Sequence, residues 1–357
     1  MNATLLRTTL VLGTAGLLAA CGPRPAEAPQ DAAAPPPPTA GVDVTGAGAS
    51  FVFPLLSQWA GEYAQATGNR VNYQSIGSGG GIAQAKAGTI HFGSTDAPLT
   101  PEVLEGARLG QFPSVIGGVV PVVNIAGIEP NQLRLTGPLL ADIYLGRITR
   151  WNDPAIVAIN PGLALPETTI KAVYRSDGSG TTFNFVHYLG QVSPAWAETV
   201  GPAATSVRWP TGVGGRGNEG VAAYTEQLTG SIGYVELSYA LQNDLTTVSL
   251  QNAAGNWVTP SIASFQAAAA SADWANAEDF HLLITNAPGA DAWPIAATNF
   301  ILVSKAPSDP VRARAALDFF RWGYAHGDAR AEELGYVPLP EDVVALVKAY
   351  WEANFTF

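Results

Sequence analysis

Cysteine, methionine and charged side chains are all scarce in this sequence of 357 residues. The single cysteine excludes an intrachain disulfide framework and any zinc or iron–sulfur site built from thiolates. Charged residues make up 13% of the chain, about half the usual share. Lys and Arg number 18 against 29 Asp and Glu, giving a net charge of −11, so binding of nucleic acid through its phosphates is not expected. The same net charge opposes any anionic ligand unless a site is built locally.

Motifs for metal binding and catalysis are also missing. None of the four histidines has H-x-H or H-x-x-x-H spacing, and no P-loop or G-x-S-x-G elbow occurs, so the sequence predicts no metal, no cofactor and no enzymatic activity. Gly178-Ser179-Gly180 has no evident base beside it. The stretch 215–220 fits G-x-G-x-x-G, but no hydrophobic strand precedes it, which favours a turn that lines a cleft over a dinucleotide site.

The N-terminus has the pattern of a targeting segment. An apolar run follows Arg7 and ends in Leu18-Ala19-Ala20-Cys21, which resembles the lipobox of bacterial lipoproteins. We expect residues 1–20 to be a lipoprotein signal peptide and Cys21 to be lipidated; an ordinary secretory peptide is the alternative. Residues 21–41, rich in Pro and Ala, are expected to form a tether. The protein is therefore predicted to be extracytoplasmic and held at the membrane only by this lipid.

Beyond the tether, short β-like runs alternate with helical stretches, the pattern of an α/β protein. The length suggests about two domains. Strands are predicted near 42–44, 70–73, 91–93, 115–125, 170–175, 231–235 and 299–305. Helices are predicted near 53–67, 80–87, 101–109, 138–145, 181–190, 219–227, 260–271, 310–326 and 340–353. The two longest apolar runs, 115–124 and 296–303, are expected to cross between the domains.

Three loops of glycine and hydroxyl residues each lead into a predicted helix: 45–51, 77–82 and 175–183. Glycine permits close approach of the backbone, and the first N–H groups of a helix have no intrahelical partners. Each helix N-terminus is equivalent to roughly +0.5 charge, so three of them with Arg175 and Asp96 sum to about +1.5. This predicts an oxyanion site without lysine; the alternative is that Ser50, Ser78 and Ser179 are only helix N-caps.

These segments, taken in order, resemble the phosphate-binding proteins of bacterial high-affinity phosphate ABC transporters. The resemblance runs from Thr45 to about Phe355, nearly all of the chain predicted to fold. It rests on matches in register: TGAGASF (45–51), YQSIGSGG (73–80), FGSTDAPL (92–99), FPSVIGGVV (112–120), IYLGRITRW (143–151), RSDGSGT (175–181), GGRGNEG (214–220) and DAWPI (291–295).

The resemblance implies an α/β protein with the two-lobed fold of type II periplasmic binding proteins and a ligand cleft between the lobes. With the long apolar runs as connections, residues 42–123 and 294–357 are assigned to lobe I and residues 124–293 to lobe II. The implied function is high-affinity binding of inorganic phosphate and its delivery to an ABC import permease, by closure around the dehydrated anion. We expect a monomer.

Carried over position by position, the ligands of the family fall on Ser50, the backbone N–H of Phe51, Ser78, Asp96, Arg175, Ser179, the backbone N–H of Gly180, and Thr181. Asp177 is expected to orient the Arg175 guanidinium and also suits a turn before glycine. Ser50 replaces a frequent threonine and keeps the hydroxyl. The family usually reads Phe-Pro after that hydroxyl residue, whereas Val52-Phe53 intervene here before Pro54, which is expected to shift the start of the helix.

Asp96 predicts which anion is bound. A carboxylate beside an anion is favourable only if the anion brings a proton, which phosphate does at neutral pH and sulfate does not. The mismatch with sulfate is expected to cost roughly a thousandfold in affinity. Two alternatives stay open: a receptor for another tetrahedral oxyanion such as sulfate, molybdate or tungstate, and a serine-based phosphatase or esterase on the same scaffold.

Overall fold

The structure is a computed structural model that describes residues 41–357; the predicted signal peptide, Cys21 and the tether up to residue 40 lie outside them. The strands are β1 (Asp43–Gly48), β2 (Arg70–Ser75), β3 (Phe92–Thr95), β4 (Leu109–Val123), β5 (Arg134–Leu135), β6 (Lys171–Arg175), β7 (Val213–Gly215), β8 (Ser231–Glu236), β9 (Thr246–Thr247), β10 (Ser249–Gln251), β11 (Trp257–Val258) and β12 (Ala296–Ser304).

The helices alternate with these strands over most of the chain. They are α1 (Phe53–Thr67), α2 (Ser78–Ala87), α3 (Pro101–Ala107), α4 (Gly137–Tyr144), α5 (Pro154–Ile159), α6 (Gly180–Val192), α7 (Pro194–Val200), α8 (Gly217–Gln227), α9 (Leu237–Gln242), α10 (Ile262–Ala269), α11 (Pro310–His326), α12 (Asp328–Glu333) and α13 (Glu341–Asn354). Within residues 41–357, none of them has both the length and the apolar character needed to cross a membrane.

Long helices follow the sequence prediction more closely than short ones. α1 and α11 have the predicted bounds. α5, α7, α9 and α12, of six or seven residues each, are absent from the prediction because two turns or fewer show too little periodicity in sequence. In α1, Pro54 in the first turn and Gly68 at the C-cap, with φ 78°, mark ends that are readable from sequence.

The strand predicted at 115–125 corresponds to β4, which begins earlier, at Leu109, and ends earlier, at Val123. Gln111 and Pro113 disfavour a strand by local preference. The structure tolerates both because the Gln111 side chain bonds to the backbone of Leu99, and because the ladder to β12 is irregular beside Pro113. There Ser114 is an extra residue, a β-bulge of the kind often found beside functional sites.

One nine-stranded sheet organises the molecule in the order β2-β1-β3-β12-β4-β8-β6-β7, with β9 also beside β4. β1 pairs in parallel with β2 and β3, and β6 pairs in parallel with β7 and β8. β4 joins the two groups, because its first part pairs with β12 and its last five residues, Val119–Val123, pair with β8. All of β4 is buried. This mixed α/β architecture confirms the predicted fold class.

Candidate functional site

The predicted loops meet because parallel strands end at a common edge of the sheet. β1, β2 and β3 lead into Ser50, Ser78 and Asp96, while β6 and β7 lead into the loops that open α6 and α8. All eight residues to which the family ligands were assigned are buried. Side chains that lie far apart in the chain therefore form one buried polar cluster.

Ser50 does not cap a helix. α1 begins at Phe53, with Val52 as its N-cap and Pro54 in its first turn. Instead, Ser50 Oγ accepts hydrogen bonds from the backbone N–H and the side-chain amide of Asn218, at 3.1 and 2.9 Å. This serine thus links the loop before α1 to the start of α8.

Ser78 and Ser179 occupy different positions at their helices. Ser78 is the first residue of α2, and its Oγ accepts from the backbone N–H groups of Gly180 (3.0 Å) and Asp96 (3.3 Å). Ser179 is the N-cap of α6, with its Oγ accepting from Thr182 N–H at 3.0 Å. Ser179 is therefore an N-cap, whereas Ser50 and Ser78 are not.

Arg175 is held by a two-point ion pair. Its Nε and Nη2 donate to the two carboxylate oxygens of Asp177 at 2.8 and 2.6 Å, and Nη1 lies 3.3 Å from Thr181 Oγ1. Burial acts to lower the pKa of Arg175, but the hydrogen bond and charge of Asp177, together with Tyr234 and Asp96, outweigh it and the pKa is raised. Burial acts to raise the pKa of Asp177, but its hydrogen bonds and the charge of Arg175 hold it below its usual value. Since Asp177 cancels this positive charge, the local sum falls from about +1.5 to about +0.5.

Asp96 is 1% exposed and held from three directions. Its Oδ1 accepts from Asn299 Nδ2 at 2.7 Å, its backbone carbonyl accepts from Asn184 Nδ2 at 2.7 Å, and its N–H reaches Ser78. Burial raises the pKa of Asp96 to about 7, against the opposing effects of the Asn299 hydrogen bond and the Arg175 charge. Oδ2 faces Gly180 so closely that a Cβ there would lie 2.7 Å from it. Only glycine fits at that position.

The four hydroxyls of the cluster are all used as acceptors. Ser50, Ser78 and Ser179 accept from the N–H groups given above, and Thr181 Oγ1 accepts from Arg175 and from Asn218 Nδ2 at 3.2 Å. A hydroxyl oxygen that accepts still carries one O–H proton to donate. The arrangement therefore offers several donors to an anion. Among residues 41–357, no group of three or more His, Cys, Asp or Glu side chains is placed to hold a metal ion.

Sequence reasoning missed three buried asparagines of this cluster, Asn184, Asn218 and Asn299, each at most 1% exposed. Asn218 lies in the stretch 215–220 that was interpreted as a cleft-lining turn, and the family match over 214–220 assigned it no role. Asn299, together with Thr298, interrupts the apolar run of β12, and such an interruption of a buried strand is a signal that could have singled it out.

Comparison with known proteins agrees with this geometry. Residues 32–325 match a family described as the PBP superfamily domain. The chain is 59% identical over 356 residues to the phosphate-binding protein PstS of Xylella fastidiosa strain Temecula1, covering 98% of both chains. It is 52% identical over 311 residues to PstS of Pasteurella multocida, covering 87% of this chain and 90% of that one.

A solved structure of a putative phosphate ABC transporter substrate-binding protein from Clostridium perfringens, with bound phosphate, is similar in fold. The TM-score is 0.62 at 17% identity, over 84% of this chain and 100% of the other. The fold is therefore that of the phosphate-binding type II periplasmic proteins. The chain belongs to the PstS phosphate-binding protein family of the PBP superfamily.

Proposed function

We propose that this protein binds one inorganic phosphate ion in the buried cluster, through Ser50, Phe51 N–H, Ser78, Asp96, Arg175, Ser179, Gly180 N–H and Thr181. It then delivers the ion to the permease subunits of an ABC-type phosphate importer. The function is binding and transport without covalent chemistry. The family assignment and the arrangement of donors around one carboxylate both support this.

The observation that carries the choice of phosphate is the position of Asp96. A fully buried carboxylate lies among hydroxyl and N–H donors, within the electrostatic influence of Arg175. A ligand held by such donors is an anion, and beside an ionised carboxylate it must itself supply a proton. Monobasic and dibasic phosphate meet both conditions. Sulfate and molybdate receptors are therefore not favoured.

Hydrolytic chemistry has no support in the geometry. Ser179, the serine of the Gly178–Gly180 sequence, accepts a hydrogen bond from Thr182 N–H as a helix cap. A serine nucleophile needs a general base within hydrogen-bond reach. Asp96 approaches the backbone of Gly180, and within residues 41–357 no carboxylate or histidine hydrogen-bonds to Ser179 Oγ.

We assign residues 42–123 and 294–357 to one lobe and 124–293 to the other, with the site between them. Hydrogen bonds that cross this boundary support the assignment: Gly79 N–H to the Gly178 carbonyl at 2.9 Å, Gly180 N–H to Ser78, and Asn218 to Ser50. In such an arrangement, hinge closure brings the two sets of donors together on the anion and alters the surface seen by a permease.

The chain is proposed to act outside the cytoplasm as a monomer, anchored through a lipid on Cys21 and separated from the membrane by residues 22–41. Cys21 lies outside the described residues, so this rests on the sequence pattern alone. Metabolic labelling with a radioactive fatty acid tests it: wild type should incorporate label, and the Cys21→Ser variant should not.

Isothermal titration with phosphate and then sulfate tests the binding function, on protein unfolded and refolded in phosphate-free buffer to remove bound ligand. We expect wild type to prefer phosphate, with a preference that grows by about tenfold for each pH unit above pH 7 as Asp96 ionises. Asp96→Asn should reduce that preference, and Asp291→Asn, at an exposed carboxylate, should leave it unchanged. Equal affinities of wild type for the two anions would refute the proposal.

A further inference from the structure

The buried side of Asp96 is occupied by a polar network across three strands. Asn299 of β12 donates from Nδ2 to Asp96 Oδ1 (2.7 Å) and to Ser94 Oγ (2.9 Å). Its own Oδ1 accepts from Ser114 Oγ at 2.7 Å and from Ser94 Oγ at 3.1 Å. All four residues are at most 2% exposed. The bulge at Ser114 brings that hydroxyl to Asn299, so the amide has a partner on each side.

The orientation of the Asn299 amide in this network determines which protonation state of Asp96 it stabilises. Oδ1 lies against the hydroxyls of Ser114 and Ser94 while Nδ2 faces Asp96. An N–H donor stabilises an ionised acceptor more than a protonated one. Oδ1 is thus occupied, while Oδ2 faces the Gly180 backbone at the start of α6. The oxygen turned towards the donors of the cluster is the one that Asn299 does not contact.

We propose that Asn299 is a positioning residue that determines anion selectivity: by donating to Asp96 Oδ1 it keeps the carboxylate ionised, so that Oδ2 accepts only from an anion that carries a proton. The inference rests on the proposed function of the site. It assigns selectivity to a residue that need not touch the ligand.

Other charges bear on Asp96 as well. Arg175 of β6 favours its ionised form. Burial, with a smaller contribution from Asp96, raises the pKa of Glu236 at the end of β8 to about 8, so Glu236 is mostly uncharged at neutral pH. Tyr73 of β2 has its pKa raised by burial and stays neutral. Burial itself favours a protonated Asp96, so the ionised form depends on a small number of local interactions. Loss of the Asn299 donor should favour protonated Asp96. A protonated Asp96 can donate a hydrogen bond to a fully ionised anion such as sulfate, so that anion would then be bound.

The test is the ratio of phosphate to sulfate affinity as a function of pH in Asn299→Leu and Asn299→Ser. The leucine removes the donor at similar volume, and the serine is too short to reach Asp96. In wild type, sulfate affinity should be about half its maximum near pH 7 and should decline about tenfold for each pH unit above it. In both variants this decline should begin at least about one pH unit higher, so that the phosphate-to-sulfate ratio near pH 9 is reduced by about tenfold. Ser114→Ala, which removes a contact of Asn299 on the far side from Asp96, is the matched control and should change the ratio less than about twofold.

A double-mutant cycle distinguishes an effect of Asn299 on Asp96 from a general disturbance of the fold. In the Asp96→Asn background, Asn299→Ser should change the ratio no further, because the effect runs through the carboxylate. An infrared carboxyl band assigned by its loss in Asp96→Asn should show more protonated Asp96 in the Asn299 variants. Unchanged ratios together with an unchanged band would overturn the inference while leaving phosphate binding intact. Failure of wild type to bind phosphate would instead refute the proposed function.

Discussion

Asn218 donates its side-chain amide to Ser50 Oγ over 2.9 Å, and these residues are 168 positions apart in the chain. The same amide reaches Thr181 Oγ1 at 3.2 Å, and Asn218 Oδ1 accepts from Glu236 N–H at 3.0 Å. One buried amide therefore sets the positions of two hydroxyls from different loops. It fills their acceptor sites and leaves their protons free to donate.

Asn218→Ala should weaken phosphate binding by about tenfold to a hundredfold, because each lost hydrogen bond contributes about 1 kcal/mol and the hydroxyls lose their orientation. Titration calorimetry measures the change. Asn256→Ala, at an exposed asparagine that bonds to the Ala290 carbonyl, is the control and should bind like wild type. Unchanged affinity of the Asn218 variant would show that the hydroxyls are oriented without it.

Gly180→Ala should reduce phosphate affinity by at least about a hundredfold. A Cβ at this position would lie 2.6 Å from Asp96 N and 2.7 Å from Oδ2, so α6 and the carboxylate would have to separate. Gly190 in the same helix has open space at the Cβ position, and Gly190→Ala should bind normally and gain up to about 1 kcal/mol in stability. The two variants, compared by calorimetry and thermal melting, distinguish a local clash from a general effect of alanine in α6.

Glu236→Gln should remove part of the decline in stability at high pH. Glu236 is 0% exposed, and burial raises its pKa to about 8 from an ordinary value of 4.5, against the opposing hydrogen bonds from Ser238. Between about pH 4.5 and pH 8 the folded state therefore holds a proton that the unfolded state has released. The contribution of Glu236 to stability is complete below about pH 4.5 and declines until about pH 8. Glutamine keeps the shape without this loss.

Urea unfolding in phosphate-free buffer measures that difference. Near pH 5 the variant should resemble wild type, and near pH 8.5 it should be more stable by a few kcal/mol. Asp96, with its pKa near 7, adds a decline of the same sign to both proteins, so the comparison isolates Glu236. Glu352→Gln, at an exposed glutamate, should follow wild type at both pH values. Parallel curves for Glu236→Gln and wild type would contradict the prediction.

Arg175→Lys should lower phosphate affinity by about a hundredfold or more and destabilise the fold by about 1–3 kcal/mol. A lysine ammonium cannot form the two-point pair with Asp177 and still reach Thr181, although the charge is conserved. Arg150→Lys offers a matched comparison, because Arg150 pairs with Glu167 at the surface and should tolerate the change. If both variants bind phosphate equally well, charge alone accounts for the role of Arg175.

The sequence alone determined the α/β alternation, the bounds of α1 and α11 and the positions of the glycine-containing loops. These features are local, since helical periodicity, a proline in a first turn and a glycine after a last turn act within a few residues. The family-based residue assignments likewise required only motifs that can be read along the chain. None of these signals says which atoms become neighbours.

Tertiary structure decided which residues of the cluster are hydrogen-bond partners. Asn299 and Asp96 are 203 positions apart, and they meet only because β12 lies between β3 and β4. Helix propensity could not tell that Ser179 caps its helix while Ser50 and Ser78 accept from distant donors, because all three serines precede or begin helices. The charge of the site was also settled in three dimensions, where Asp177 neutralises Arg175 and burial moves the pKa of Asp96 to about 7. Burial and long-range pairing have no counterpart in local sequence, which is why the donors and the carboxylate could be named from the chain but their partners could not.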